Sequence, residues 1–500
     1  MDYQLLLWAF LPDLVVVIGV FASLGLDYGW LRNGTLSERN SKISNLVSWS
    51  LFLGLVGMVF QGMSTSEFNF AAGQLVFSPM RYALKACIFA MAILVVQLSS
   101  REPVCGQVSE YYALLLLATL GMGFVMTSEN LLGAFVALEL VSLSLYALTA
   151  LWQRNRPSAE AALKYFAFGG VSSAFLLFGL SYIYGMTGSL DIRMIMSYFA
   201  SMPPLPPLLL VGWLLVLVGL GFKIAAAPFH AWAPDVYQNA PTPVAAWIAT
   251  GSKIAAIVLL VTLLKPAIEV SEGSSLRLSL GVALSGLAVV AMIGGNLAAL
   301  RQTNLKRLLA YSAIANAGYL LVAVLAFTED GRAAAMFYAV VYAIATLGAF
   351  AVVAVLSDRL GREAEIDDFR GCWKTNPGLS LALLVFILSL AGIPPLAGFV
   401  GKFYLFFAAI QAKSEIGYWS EGLYWLVALA LGFSVVALYY YLKVLKAVFV
   451  SEETGPVGKD PIGWPSAAVI LLLALFTLAL GIVPGPFIDF IRVCIPDWLA

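Results

Sequence analysis

The sequence predicts an all-α polytopic membrane protein of about fourteen transmembrane helices. Three observations carry that reading. Apolar residues make up 61% of the 500 residues and charged residues 11%, where a soluble domain of this size carries about a quarter charged. The mean hydropathy is +0.91. Apolar runs of about twenty residues, the length of helix that spans a bilayer, recur from end to end. The formal net charge is zero, so nothing points to nucleic acid.

The expected spans, in order, are 4–26, 44–62, 82–99, 110–127, 131–151, 161–185, 207–227, 243–265, 278–300, 305–327, 333–357, 379–412, 422–447 and 466–489. The first lacks a basic leader and a small-residue cleavage site, so it reads as a retained helix rather than a signal peptide. Two spans break the pattern. The seventh runs into GFKIAAAPFHAWAPDVYQNAPTPV, Gly221 to Val244, which holds Lys223, the only histidine (His230) and four prolines. Each proline removes a backbone donor and opposes continuous helix. The twelfth is too long for one straight span and contains Gly392, Pro394, Pro395 and Gly398. Both read as broken helices carrying a lysine, and they lie five spans apart. An odd spacing gives two units opposite topologies, the inverted-repeat arrangement of secondary transporters with ion sites near the midplane. The expected division is residues 1–108 as three N-terminal helices and 109–270 as a first five-helix repeat. A second, inverted repeat follows over 271–450, then a C-terminal loop and helix over 451–500.

Orientation follows from basic residues. Loops after odd-numbered spans, with adjacent span ends, hold seventeen; those after even-numbered spans, with both termini, hold eight. Both termini are therefore expected on the non-cytoplasmic side. The three remaining basic residues, Lys223, Lys253 and Lys402, fall inside spans. Among the acids, Glu139 in LLGAFVALELVSLSLYALTAL is the clear intramembrane exception. Asp13, after Pro12, lies within about three turns of the start of its helix and is expected at an interface. Lys306 and Arg307 read as ordinary anchors at the start of the tenth span.

Each charge at a helix centre costs roughly 2.5–3.5 kcal/mol on insertion scales, so four cost on the order of 10 kcal/mol before pairing. A buried Glu139–Lys223 pair tying the fifth span to the seventh is one compensation, and that pair alone is a structural role. Three lysines and one glutamate leave two lysines over. An ammonium without a counter-charge is costly in an apolar medium, and a lysine so placed is suited to taking up and releasing a proton. A lateral chain of such groups around two helix breaks reads as a proton relay; the rival is a purely structural network. His230, between prolines, is either a satisfied hydrogen-bonding residue or a proton shuttle. Lys164, in AEAALKYFAFGG, is either a snorkelling anchor or part of a pathway. Cys87, Cys105, Cys372 and Cys494 lie far apart with no CxxC, so neither an iron–sulfur nor a zinc site is supported. No Gly-rich phosphate loop follows a strand.

Three stretches carry a resemblance: GFKIAAAPFHAWAPDVYQNAPTPVAAWIATGSKIAA (Gly221 to Ala256), NLKRLLAYSAIANAGY (Asn304 to Tyr319) and LAGIPPLAGFVGKFYLF (Leu390 to Phe406). Over most of the expected spans the chain resembles the antiporter-like membrane subunits of proton-pumping NADH:quinone oxidoreductase, respiratory complex I. Lys402 in GFVGKF stands where the subunit M branch has a glutamate, and Lys253 follows Lys223 by 30 residues. Both features, and the end of the chain after the fourteenth expected span where the subunit L branch has a lateral helix, match the subunit N (subunit 2) branch. The resemblance implies a proton channel without redox chemistry of its own. Glu139 would tune Lys223, Lys253 would be the central relay and Lys402 the terminal group. It implies no cofactor in this chain, with NADH, FMN, iron–sulfur clusters and quinone in partner subunits. The partners implied are the neighbouring membrane-arm subunits and the bilayer. Asn316 departs from the pattern, standing where many members have a histidine, and asparagine cannot titrate. Rival readings are an Mrp-type cation/proton antiporter subunit, a membrane-bound hydrogenase subunit, or a structural scaffold.

Overall fold

The computed structural model describes residues 3–64, 68–70, 74–101, 105–151, 156–201, 206–266, 275–360, 362–412, 422–451 and 462–499. Several loop cations counted for orientation, and the expected repeat boundary at 270/271, lie outside the described residues. The elements are helical almost throughout. The N-terminal helices are α1 (Tyr3–Tyr28), α2 (Leu36–Ser64) and α3 (Pro79–Ser99). Between α2 and α3 lies a two-stranded antiparallel hairpin, β1 (Phe68–Phe70) and β2 (Leu75–Phe77). The next group is α4 (Val108–Thr127), α5 (Leu131–Ala150), α6 (Arg156–Thr187), α7 (Ile192–Ser201), α8 (Pro207–Lys223), α9 (Ala233–Asn239), α10 (Thr242–Ala249) and α11 (Gly251–Leu263). Then come α12 (Ser275–Ala299), α13 (Leu305–Val324), α14 (Glu329–Leu360), α15 (Pro377–Ala391), α16 (Ala397–Gln411), α17 (Tyr424–Val450), α18 (Trp464–Ile482) and α19 (Gly485–Leu499).

Local chemistry explains the boundaries. Ser78 caps α3, which has Pro79 at its first position, where a missing N–H costs nothing. Asn130 caps α5 by accepting from the N–H groups of Leu132 and Gly133, and Asn304 caps α13 by accepting from that of Arg307.

Among the described residues, twelve helices are long and apolar enough to cross a membrane, with α10 and α11 counted together. Three shorter apolar helices, α8, α15 and α16, are not. Helix length therefore does not establish a count of fourteen. The shortfall falls on the two spans expected to be broken: α8 stops at Lys223, and α15 and α16 divide the stretch 379–412. Two further differences stand out. The eighth span has its own break at Thr250 (φ −119°, ψ −75°), between α10 and α11. The last expected span, 466–489, ends at Ile482 where Pro484 follows, and α19 is a separate helix.

Burial orders the helices. The α10–α11 pair, α13 and α14 form the centre, each with about nine-tenths of its most apolar window buried. The helices α1, α2, α6, α17 and α18 bury only a third or so of theirs and present apolar side chains outward, such as Phe21, Trp49, Leu163 and Leu471. Such a surface is stable against lipid or another membrane subunit and against little else.

Candidate proton-relay site

The three lysines that the sequence places inside spans, Lys223, Lys253 and Lys402, each stand beside a helix discontinuity. Lys223 is the last residue of α8. Beyond it Ile224 and Ala226 donate back to Leu220 and Gly221, and Ala225 takes a left-handed φ of 57°. A residue with a Cβ pays roughly 1–2 kcal/mol for that conformation. The Trp232 indole donates to the Phe222 carbonyl at 3.2 Å, satisfying one of the acceptors that the helix end leaves open. The Lys223 ammonium lies 3.5 Å from the Glu139 carboxylate on α5 and donates to the Ser142 hydroxyl. The Ser173 hydroxyl on α6 donates to the same Glu139 oxygen at 2.6 Å. Glu139 and Ser142 are three apart on α5 and so share a face. The lysine side chain is 9% exposed and the glutamate 25%, so the pair opens toward the outer surface on the Glu139 side.

Lys253 lies one turn past the break at Thr250. It is buried and donates to the Ala313 carbonyl of α13 at 2.6 Å, with its ammonium 5.4 Å from the centre of the Tyr342 ring. Lys402 on α16 donates to the Leu390 and Ala391 carbonyls at 3.0 and 3.2 Å, the open end of α15. Gly392 makes room for it. Its φ of 85° closes α15, and a Cβ there would lie 3.0 Å from the lysine Cδ. No carboxylate pairs with Lys253 or Lys402 among the described residues. Glu139 thus serves one of the three lysines.

A polar seam runs from Lys253 toward Lys402 along α13. Asn316 is one turn beyond Ala313. It donates to the Ser312 carbonyl at 2.9 Å and accepts from the Tyr338 hydroxyl of α14. Ser312 shares a hydrogen bond with the Tyr441 hydroxyl of α17. Tyr440 donates to Asn296 of α12, and Asn296 donates to the Tyr319 hydroxyl, each at 3.2 Å. The Tyr319 ring lies 5.2 Å from the Lys402 ammonium. The seam is lined with hydroxyls and amides and crosses the most buried helices of the molecule.

His230 is half-buried in the turn between α8 and α9 and joins no ion pair among the described residues. Lys164 on α6 pairs with Asp235 of α9 and Glu160, each at 2.8 Å, and Arg307 of α13 pairs with the same Asp235 at 2.7 Å. Asp235 is a residue that the sequence reading passed over, although it stands inside the broken motif. Two expectations need correcting. Lys306 is not an exposed anchor. It is 1% exposed, donates to the Ala240 carbonyl at the end of α9 at 3.1 Å, and faces Glu363 at 3.5 Å. Asp13 is not an interfacial residue. It stands near the middle of α1, 2% exposed, and pairs with Lys85 of α3 at 2.7 Å. Proximity to the chain start misled, because the helix begins ten residues earlier. Arg81, Lys85 and Lys265, counted as span-end cations, are buried as well. No cluster of His, Cys, Asp and Glu able to hold a metal occurs among the described residues.

A multi-pass membrane protein with buried lysines at helix breaks belongs to the class of ion-translocating membrane subunits by its architecture. Residues 128–422 match the family described as NADH:quinone oxidoreductase/Mrp antiporter, TM, and the chain belongs to that family. It is 41% identical over 507 aligned positions to NADH-quinone oxidoreductase subunit N 2 of Acidobacterium capsulatum, covering 98% of this chain and 99% of that one. The fold superimposes on a chain of respiratory complex I from Thermus thermophilus with bound aureothin. The TM-score is 0.78 and the identity 34%, covering 96% of this chain and 98% of that one. A chain of the Mrp complex from a Dietzia species shares the fold at a TM-score of 0.80 and 21% identity, covering 98% and 97%.

Proposed function

We propose that this chain is the subunit N of a bacterial NADH:quinone oxidoreductase and moves protons through Glu139, Lys223, Lys253 and Lys402. The single observation that carries the relay is the pairing of buried lysines with helix breaks. Three ammonium groups sit where backbone is irregular, and among the described residues only Glu139 stands opposite them as a carboxylate. A structural network would pair its charges; this arrangement leaves two lysines on backbone carbonyls, which accept hydrogen bonds but supply no full charge.

In this reading Glu139, partly open to the neighbouring membrane subunit, is where a change of charge outside the chain reaches Lys223. Lys253 is the central relay, passing protons along the seam of Asn316, Ser312, Tyr441, Tyr440, Asn296 and Tyr319, and Lys402 is the terminal group. The chain carries no redox centre; NADH, FMN, iron–sulfur clusters and quinone reside in partner subunits. The neighbouring antiporter-like and small membrane-arm subunits are its partners, in the bacterial inner membrane. Both termini face away from the cytoplasm, which places Asp235, Lys164 and Arg307 at the cytoplasmic end. Residues 109–270 and 271–450 act as two inverted half-channels, 1–108 as an added three-helix unit, and 451–500 as the C-terminal segment. His230 is assigned a lesser role at the end of α8.

The test is Glu139→Ala and Lys223→Ala in the assembled complex, read in membrane vesicles. Electron transfer to quinone with diminished proton movement supports the relay; normal assembly with unimpaired pumping defeats it. The shared fold with the Mrp complex supports a second reading as a cation/proton antiporter. Proton movement driven by a sodium gradient without quinone turnover favours that reading instead.

A further inference from the structure

A second buried charge cluster lies away from the lysine relay. Glu129 occupies the bend between α4 and α5. Its carboxylate receives the Lys265 ammonium, just past the end of α11, at 2.7 Å, and the Arg81 guanidinium of α3. Arg81 also donates to the Met126 carbonyl at 3.1 Å. One turn along α3, Lys85 pairs with Asp13 of α1. The side chains of all five residues are 6% exposed or less. The Glu129 backbone is fixed too: its N–H donates to Gln74 beside the hairpin at 2.9 Å, and its carbonyl accepts from Ile192 at 3.1 Å. The cluster therefore ties α1, α3, the α4–α5 bend and the end of α11 into one rigid corner. Burial alone would raise the Glu129 carboxyl; the charges of Arg81 and Lys265 outweigh it and hold the group below its ordinary value.

The consequence lies at the other end of α11. This helix has 13 residues, a rod of roughly 20 Å. It is separated from α10 by the break at Thr250 and held at its far end through Lys265. Lys253 sits three residues from the break, so the rod's axial position sets how far its ammonium reaches toward Ala313. Proton transfer requires heavy-atom distances of about 2.6–3.2 Å, and a shift of about 1 Å is enough to lose it.

We infer that Glu129 is a positioning residue for Lys253: through Lys265 it pins α11 against the N-terminal helices and holds the relay lysine within reach of α13. This rests on the relay reading above. It gives the N-terminal unit a function beyond filling space, because α3 and α1 anchor the corner to which α11 is pinned. Lys253 then acts from a rod with one pinned and one hinged end.

The experiment uses the assembled complex in inverted membrane vesicles and measures protons moved per electron delivered to quinone, alongside the amount of complex. Lys265→Gln releases α11 while leaving Arg81 paired with Glu129. It is expected to assemble normally and to lose at least half as much pumping as Lys253→Met does. Lys265→Arg, which keeps the charge, is expected to restore it. In the double variant Lys253→Met/Lys265→Gln, no further loss is expected beyond that of Lys253→Met, since residues acting through one group are non-additive. Glu129→Asp, which keeps every charge but shortens the clamp, provides the same readout if Lys265→Gln does not assemble. Unchanged pumping in Lys265→Gln, losses that add in the double variant, or losses that track the amount of complex overturn the inference. Normal pumping in Lys253→Met overturns the relay itself, and this inference with it.

Discussion

Lys402→Met separates a relay from a structural network most sharply, because the two readings predict opposite balances. The substitution keeps the length of the side chain and removes its charge. Among the described residues the ammonium meets the Leu390 and Ala391 carbonyls and the Tyr319 ring. Losing it leaves two buried acceptors without that donor, at about 1–3 kcal/mol each. It also removes a charge whose burial costs about 2.5–3.5 kcal/mol. The two largely cancel, so the net effect on stability falls between a gain of about 1.5 and a loss of about 3.5 kcal/mol by the same figures. Lys402→Met is therefore expected to give near-normal amounts of assembled complex. If Lys402 is the terminal proton group, pumping per electron falls, because methionine carries no proton. The assay pairs native-gel quantification of the complex with proton uptake into vesicles during quinone reduction. Assembly lost in proportion to pumping refutes the cancellation argument, and unimpaired pumping refutes the assignment of Lys402.

Other perturbations test neighbouring parts. Asn316→Leu removes the amide that links Tyr338 to Ser312; it should lower pumping about tenfold or less, with assembly retained, and Asn316→His should retain more, as vesicle assays would reveal. Gly398→Ala places a Cβ 1.8 Å from the Ser389 carbonyl, a backbone clash at the seam of α15 and α16. Overpacking costs at least about 1–3 kcal/mol, so less complex should accumulate and its melting temperature should drop. Asp235→Asn removes the charge shared by Lys164 and Arg307, and a loss of pumping larger than the loss of assembly would place this cluster on the proton path. The Glu129 corner has a defined pH response. A carboxyl held below its ordinary value of 4.5 contributes stability above the unfolded-state value and loses it as pH falls through the lowered one. Thermal stability of the complex should therefore owe nothing to Glu129 titration between neutral and mildly acid pH, and Glu129→Gln should flatten the acid limb.

The class of fold was legible because the bilayer imposes it: length, apolarity and helix are one requirement there. The broken helices were legible from proline and glycine at Gly221–Val244 and Gly392–Gly398. The break at Thr250 was not, since IATGSK contains no proline and a single glycine is common in membrane helices. Glu139, Lys223, Lys253 and Lys402 stood out because charge in an apolar run is costly at any depth. Lys306, Lys85, Arg81 and Lys265 did not. Each sits near the end of an apolar run, where a sequence cannot tell a snorkelling cation from one turned inward to a partner far along the chain. Their partners Glu363, Asp13 and Glu129 are 57, 72, 48 and 136 residues away respectively, Glu129 serving two of them. Sequence pattern reports burial along a helix well and pairing across helices poorly.

That asymmetry bears on how the relay is held. The residues proposed to carry protons stand out by being singly paired or resting on carbonyls, Glu139 with Lys223 and then Lys253 and Lys402. Those that hold the helices in place are multiply paired or sealed from the surface: Glu129 with two cations, Asp235 with two more, and Asp13 buried against Lys85. A carboxylate shared by two cations resists losing its charge, which suits an anchor and disqualifies a relay. A lysine resting on carbonyls has no full charge opposite to hold its proton, which suits the proposed relay. The distribution of carboxylates, more than that of lysines, separates fixed corners from the proposed path, and it favours Glu139, paired with one lysine at a helix break and 25% exposed, as the point where the path is driven.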